Sequence, residues 1–298
     1  MKQLCCTIGA LILLGLGATP ALAQQQDFSA VQIKATKIGG DLYTLEGQGG
    51  MIGALVGPDG VFMVDSQFAP LTDKIVAAIK QLTDRPIKFL VNTHQHGDHT
   101  GGNENFAKLG VTIIARDELR ARFSQAPPGG RGSAPPAAAL PTLTYKTSAT
   151  LFMNGEEVRL IPVPAAHTDG DTMIRFRKAD ALMTGDFYRS IQYPNIDRAN
   201  GGSLKGMIDG LQAVVDEASP TTKIIPGHGP IVDESAVVAH RALLIAARDK
   251  VAALIKQGMT LEQITAAKPL AEFDGKVSQP GTTGDRLIGQ LYGELGGK

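Results

Sequence analysis

Within six residues, His94-Gln95-His96-Gly97-Asp98-His99, the chain places three of its six histidines and a carboxylate. The apolar run Ile87–Val91 leads into this cluster, and Thr100-Gly101-Gly102 leaves it at the point where the chain must turn into a helix. Open α/β sheets hold their ligands in loops of this kind, at the carboxyl ends of strands. Neutral imidazoles offer nitrogen lone pairs and Asp98 adds carboxylate oxygens, the mixture that borderline cations such as zinc prefer. In so tight a loop, side chains two apart can grasp one ion while Asp98 and His99 point to a second. The flanking glycines permit backbone angles that larger residues resist.

More donors follow apolar runs further along. His167 comes after Val163-Pro164, Asp186 after Ala181-Leu182-Met183-Thr184-Gly185, and His228 after Ile224-Ile225. Each stands just beyond an expected strand, so all can converge on one sheet edge. His240 has no such context and reads as a surface residue on a long Ala-rich helix.

The surrounding pattern is that of an α/β chain. Met51–Val56 and Val61–Val64 flank the turn Gly57-Pro58-Asp59-Gly60, a β-hairpin signal. Apolar residues at 71, 75, 76, 79 and 82 keep helical spacing up to Pro86. With a strand at Ile87–Val91, a helix over 103–109 and a strand at Val111–Ala115, the order is β-helix-β-helix-β, which implies some parallel pairing. The Pro-, Gly- and Ala-rich stretch 124–142 reads as a solvated connector. Strands are expected at 143–146, 150–153, 158–163, 173–176, 181–183 and 223–225, and helices over 204–215 and 236–256. Thr260 with Gln263 predicts a capping box for a last helix.

Composition narrows the function classes. Basic and acidic residues balance at 29 each, which argues against a nucleic-acid groove or a polybasic membrane patch. Residues 1–23 read as a secretory signal peptide: Lys2, an apolar run from Leu4 to Gly17, and a small-x-small site at Ala21-Leu22-Ala23. Both cysteines, Cys5 and Cys6, lie inside it, so cleavage would leave a cysteine-free chain. The expected compartment is a bacterial periplasm or the exterior, with no membrane attachment after cleavage, and residues 24–298 as the catalytic domain.

The motif His94-x-His96-x-Asp98-His99, followed in order by His167, Asp186 and His228, resembles the signature of the metallo-β-lactamase superfamily. The resemblance implies a four-layer αβ/βα sandwich with a metal pair at one edge of the two sheets. It assigns His94, His96 and His167 to a first zinc, Asp98, His99 and His228 to a second, and Asp186 to both. Iron and manganese also suit such donors. Asp65 resembles an aspartate that supports the metal loop, although a turn or cap role fits it equally. One lactamase subclass carries a cysteine at the Asp186 position; the cysteine-free set here is more similar to glyoxalase II. Arg189 stands where lactamase relatives place a lysine that grips the substrate carboxylate. Gln48-Gly49-Gly50 reads as a plain hairpin or a short substrate flap.

By this resemblance the chain is a dinuclear zinc hydrolase of a small-molecule carbonyl bond, first of all the β-lactam amide, with Asp98 orienting the attacking water. A periplasmic lactonase, esterase or thioesterase is the alternative. An iron enzyme similar to sulfur dioxygenases and a non-enzymatic metal-binding module are further readings.

Overall fold

Strands that are apolar on both faces need cover on both sides, and this sets the layering. The fold is that of a computed structural model, which describes residues 26–126, 133–277 and 282–297. The proposed signal segment, residues 1–23, lies outside the described residues.

The first sheet has seven strands in sequence order: β1 (Lys34–Gly39), β2 (Leu42–Glu46), β3 (Ile52–Leu55), β4 (Val61–Val64), β5 (Ile87–Val91), β6 (Thr112–Arg116) and β7 (Leu143–Tyr145). Pairing is antiparallel from β1 to β4 and parallel from β4 to β7. The second sheet has five, in the order β12 (Lys223–His228), β11 (Ala181–Arg189), β10 (Thr172–Phe176), β9 (Glu156–Pro162) and β8 (Ala149–Met153). Only its β11–β12 pair is parallel.

Among the described residues there are eight α-helices: α1 (Thr72–Lys80), α2 (Gly97–Thr100), α3 (Asn103–Lys108), α4 (Asp117–Phe123), α5 (Leu204–Glu217), α6 (Glu234–Lys256), α7 (Leu261–Ala267) and α8 (Gly284–Glu294). Three apolar layers bind the elements. Phe62, Val64 and Val91 of the first sheet meet Leu160, Ile174 and Phe176 of the second. Ile75, Ile79 and Phe106 cover the outer face of the first sheet. Met207, Leu211, Leu244 and Leu291 cover that of the second. The outcome is the expected αβ/βα sandwich.

Both sheets turn the same ends toward one edge. β4 and β5 finish there, as do β9, β11 and β12. At the opposite end the β3–β4 and β8–β9 turns are tied together: Asp59 N donates to Asn154 Oδ1 at 2.9 Å, and Asn154 N to Asp59 Oδ2 at 2.7 Å.

Several expectations need correction. The capping box of Thr260 and Gln263 is present, but α7 is not the last helix, since α8 follows. The 124–142 stretch is more than a solvated connector: it carries a 3-10 turn at Ala137–Ala139, and the buried Ala139 accepts a hydrogen bond from Asn103. Residues 127–132 of that stretch lie outside the described residues. Asp186 and His228 stand within β11 and β12 rather than beyond them, because this pair continues through register irregularities around Gly185. His240 is buried, 8% exposed, with its ring edge-on to Tyr188.

Candidate metal centre

The loop after β5 is held from below before any ligand is considered. β4 is followed by Asp65 and Gln67, both with positive φ (61° and 50°), so the chain bends sharply beneath the histidine cluster. Ser66 N donates to His99 O at 2.8 Å, and Asn103 Nδ2 to Asn92 Oδ1 at 2.8 Å, all of them buried. Gly102 is required there, since a Cβ would stand 2.6 Å from Ser66 O. The second glycine contact comes from the β2–β3 loop. Gly50 N donates to Asp98 O at 3.0 Å, and a Cβ on Gly50 would overlap the His99 ring. This loop is the turn of the antiparallel β2–β3 hairpin, as expected, and it also packs on the site.

The seven donors fall into two groups, each with its ligand atoms within 4.8 Å of one another. His94, His96 and His167 form the first: His96 Nδ1 lies 3.1 Å from His94 Nε2 and 2.9 Å from His167 Nε2. Asp98, His99, Asp186 and His228 form the second, with Asp186 Oδ1 3.2 Å from both His99 Nε2 and His228 Nε2. The other Asp186 oxygen lies 3.9 Å from His167 Nε2, so this carboxylate spans both groups. His99 Nε2, His228 Nε2 and Asp186 Oδ1 are buried and have no hydrogen-bond partner. Burying such atoms unsatisfied costs about 1–3 kcal/mol each. Lone pairs that converge without bonding one another suit cations, and the two groups fit a dinuclear metal site.

Outer partners fix the tautomers. Asp65 accepts from His99 Nδ1 at 2.7 Å and from Thr93 N and Oγ1 at 2.8 Å each. With its proton given to Asp65, the Thr93 hydroxyl can accept from His94 Nδ1 at 3.1 Å. His167 Nδ1 donates to Asn195 O at 2.7 Å, and His96 Nε2 to Asp197 Oδ2 at 2.7 Å. Each of these four rings thus turns its remaining nitrogen toward the site, the arrangement that orients metal-binding histidines. Of the two readings of Asp65, the support of the metal loop is the one its hydrogen bonds match.

Electrostatics divides the two groups. Burial, reinforced by His99, holds His94 well below the usual imidazole range, and burial with His96 takes His167 down to about 4. Burial works against charge on Asp98 as well, but His99 and His228 outweigh it and bring the carboxyl to about 2. Burial likewise opposes the His99 cation, and the carboxylates of Asp186, Asp98 and Asp65 raise it well above the usual range. In the first group His94 and His167 therefore offer neutral nitrogen, and the second group offers a pair of carboxylates.

The sequence model of the metallo-beta-lactamase superfamily matches residues 47–254. The chain belongs to this superfamily. A metallo-beta-lactamase from Pontibacter korlensis superposes with a TM-score of 0.59 at 21% identity, over 72% of this chain and 99% of that one. The DIM-1 metallo-beta-lactamase gives 0.60 at 18% identity, over 73% and 99%. A stereoselective inverting sec-alkylsulfatase from Pseudomonas sp. gives 0.63 at 16% identity, over 88% of this chain and 50% of its own. At such identities the likeness concerns the metallo-β-lactamase fold. Superfamily members are mostly metal-dependent hydrolases, and the two ligand groups here belong with that chemistry.

Against this superfamily frame the remaining site residues take their places. Asp98 is the more open carboxylate of the second group, 27% exposed against 5% for Asp186. Arg189 brings its Nε to 3.6 Å from Asp186 Oδ2, and that nitrogen is buried without a hydrogen-bond partner. A cleft of about 640 Å³ opens beside His228, lined by Gly49, Gly50, Met51, Ile191 and Ile231 with Lys34 and Glu46. Sequence reasoning missed Asn195 and Asp197, which lie far along the chain from the histidines they hold and repeat no local pattern. It also missed Asp171, whose carboxylate accepts from His167 N at 2.7 Å and from Thr168 Oγ1 at 2.6 Å. The nearest signal for Asp171 was its place in the Thr168-Asp169-Gly170-Asp171 turn.

Proposed function

We propose that this chain is a dinuclear zinc-dependent hydrolase that opens a carbonyl bond of a small molecule, the β-lactam amide first. The observation that carries the reading is the convergence of His99 Nε2, His228 Nε2 and Asp186 Oδ1, buried and unbonded, beside a second group of three imidazoles. A nitrogen-and-oxygen donor set of this kind favours zinc, and it also admits iron or manganese. Likeness to metallo-β-lactamases over nearly their whole length supports the β-lactam choice. The cleft volume of about 640 Å³ suits a ligand of drug size.

When bound, the metal pair supplies an acidified water and an electrophile for the carbonyl oxygen. The chain's own residues do the rest. Asp98, open to solvent on one side, would orient the attacking water, hold its proton on the carboxylate and pass it toward the leaving group. Arg189 docks an anionic substituent of the substrate, where its planar guanidinium can meet a carboxylate in bidentate fashion. His94, His96, Asp98, His99, His167, Asp186 and His228 would serve as ligands. Export to the periplasm or exterior, read from residues 1–23, belongs to the same proposal.

A second reading rests on one specific observation: Asp186 stands where a lactamase subclass carries a thiolate. Together with the likeness to a sec-alkylsulfatase, it favours a lactone, ester, thioester or sulfate ester as the substrate. A screen of the zinc-loaded protein against a chromogenic cephalosporin, lactones, thioesters and secondary alkyl sulfates separates the two. Turnover of esters with an inert cephalosporin would overturn the β-lactam choice. Metal-loaded protein that turns over none of them would overturn the hydrolase reading.

A further inference from the structure

Behind the wall of the metal cleft lies a second, smaller cavity of about 200 Å³ that the proposed chemistry does not use. Its lining is mainly apolar, with Val232, Ala236 and Leu243 among the residues that form it. Four residues with polar side chains interrupt the lining: Ser190, whose hydroxyl is taken up by Pro230 O, Lys276, which is exposed, and Tyr188 and His240. His240 Nε2 is buried and has no hydrogen-bond partner. The Tyr188 hydroxyl takes part in none of the hydrogen bonds among the described residues, although its ring packs edge-on to His240 at 5.0 Å. Burial keeps the His240 imidazole neutral, with its pKa lowered to about 4. A neutral ring nitrogen and a phenol are suited to one uncharged hydrogen-bonding group, and Ile191, Val232, Ala236, Ala239, Leu243 and Val277 to carbon.

The layer of chain at residues 190–192 borders both the cavity and the cleft. Ile191 lines both. Ser190 N donates to His228 O at 3.1 Å and Ser190 Oγ to Pro230 O at 2.7 Å, which holds this layer against the end of β12. Ile191 has φ 52°, a left-handed conformation that a β-branched residue adopts only at a cost. Strain of this kind collects at ligand clamps and switch positions.

We infer that this cavity is a side pocket of the metal cleft, gated by Ile191, that receives an uncharged aromatic or branched apolar substituent of the substrate and anchors it through Tyr188 and His240. The substituent would lie beyond Ile191 while the scissile bond stays at the ligand groups. The inference rests on the hydrolase reading for its substrate, though not for the existence of the pocket.

Phenol serves as a probe of the pocket by itself, since it has the expected size and one hydroxyl. Binding is followed by ligand-observed NMR on the full chain, with and without zinc. Phenol should bind in both states. A236L, which fills the pocket from α6, should weaken binding by about tenfold, and Y188F by several-fold through the lost hydrogen bond. Retention of the native circular dichroism spectrum and melting temperature shows that each variant is folded; H240L is held in reserve should A236L fail this check. Phenol binding that is absent, that needs zinc, or that is indifferent to the filled pocket overturns the inference, whatever the hydrolase screen finds. If the screen yields a turned-over substrate, A236L should raise the KM ratio of its phenyl-bearing to its methyl-bearing analogue about tenfold; an unchanged ratio also overturns the side pocket.

Discussion

Two single residues decide how the site holds metal, and a third sets how stability depends on pH. Asp98→Ala removes the more accessible carboxylate of the second group. Activity should fall by at least a hundredfold and metal content toward one ion per chain, as read by elemental analysis beside a rate assay. Unchanged turnover would remove Asp98 from the mechanism. Asp65→Ala leaves every ligand in place but takes the acceptor from His99 Nδ1 and from Thr93. Loss of such a supporting partner weakens metal affinity by about 10–100-fold, which competition with a chromophoric chelator measures. His240 acts on stability instead. Burial lowers its pKa from 6.5 to about 4, so the unfolded chain takes up a proton more readily than the folded one. Stability is then full above the unfolded value and drains away as pH falls toward the folded one, by about 2 kcal/mol between about pH 7.5 and pH 5. Urea unfolding of wild type and H240F should show that gap closing in the variant; equal pH slopes would contradict it.

At the scale of elements, the loops that brace the site matter as much as the ligand-bearing strands. Gly50→Ala places a methyl group in the His99 ring, so it should cost most of the metal affinity while the far-ultraviolet circular dichroism stays native. A variant that binds metal normally would show that the β2–β3 loop can yield. Which elements were legible in the sequence follows from where their apolar residues face. β4 and β5 could be bounded to the residue because Val61–Val64 and Ile87–Val91 are unbroken apolar or nearly apolar runs that end at turn signals. β1 was not found, since four of its six residues are exposed and no alternation survives. Asp186 was recognised as a donor, but its place inside β11 depends on the irregular pairing with β12, which spacing along the chain does not reveal. His240 was misread even though a signal existed. It falls on the same helical face as Val237, Leu244, Ala247 and Val251, the stripe that packs on the second sheet.

Over the whole molecule, the ligands divide between the halves of the sandwich. His94, His96, Asp98 and His99 come from the first sheet, and His167, Asp186 and His228 from the second. Metal binding is therefore coupled to the docking of one sheet on the other. Zinc at a hundredfold excess over its dissociation constant should add about 2.7 kcal/mol of stability. Chelation should lower the melting temperature, and added zinc restore it; a transition indifferent to chelator would break the coupling. At the opposite end the sheets are joined by the paired turns of Asp59 and Asn154 and by Lys223 Nζ, which donates to Ile38 O.

The donor set has a chemical consequence in an oxidising surrounding. Every proposed ligand offers nitrogen or oxygen, and the chain's two cysteines, at positions 5 and 6, lie far from all of them in sequence. Peroxide or a mercurial, which strips a centre built on a thiolate, finds no sulfur to attack among these ligands. Exchanging cysteine chemistry for the carboxylate of Asp186 makes the cage durable where reductants are scarce.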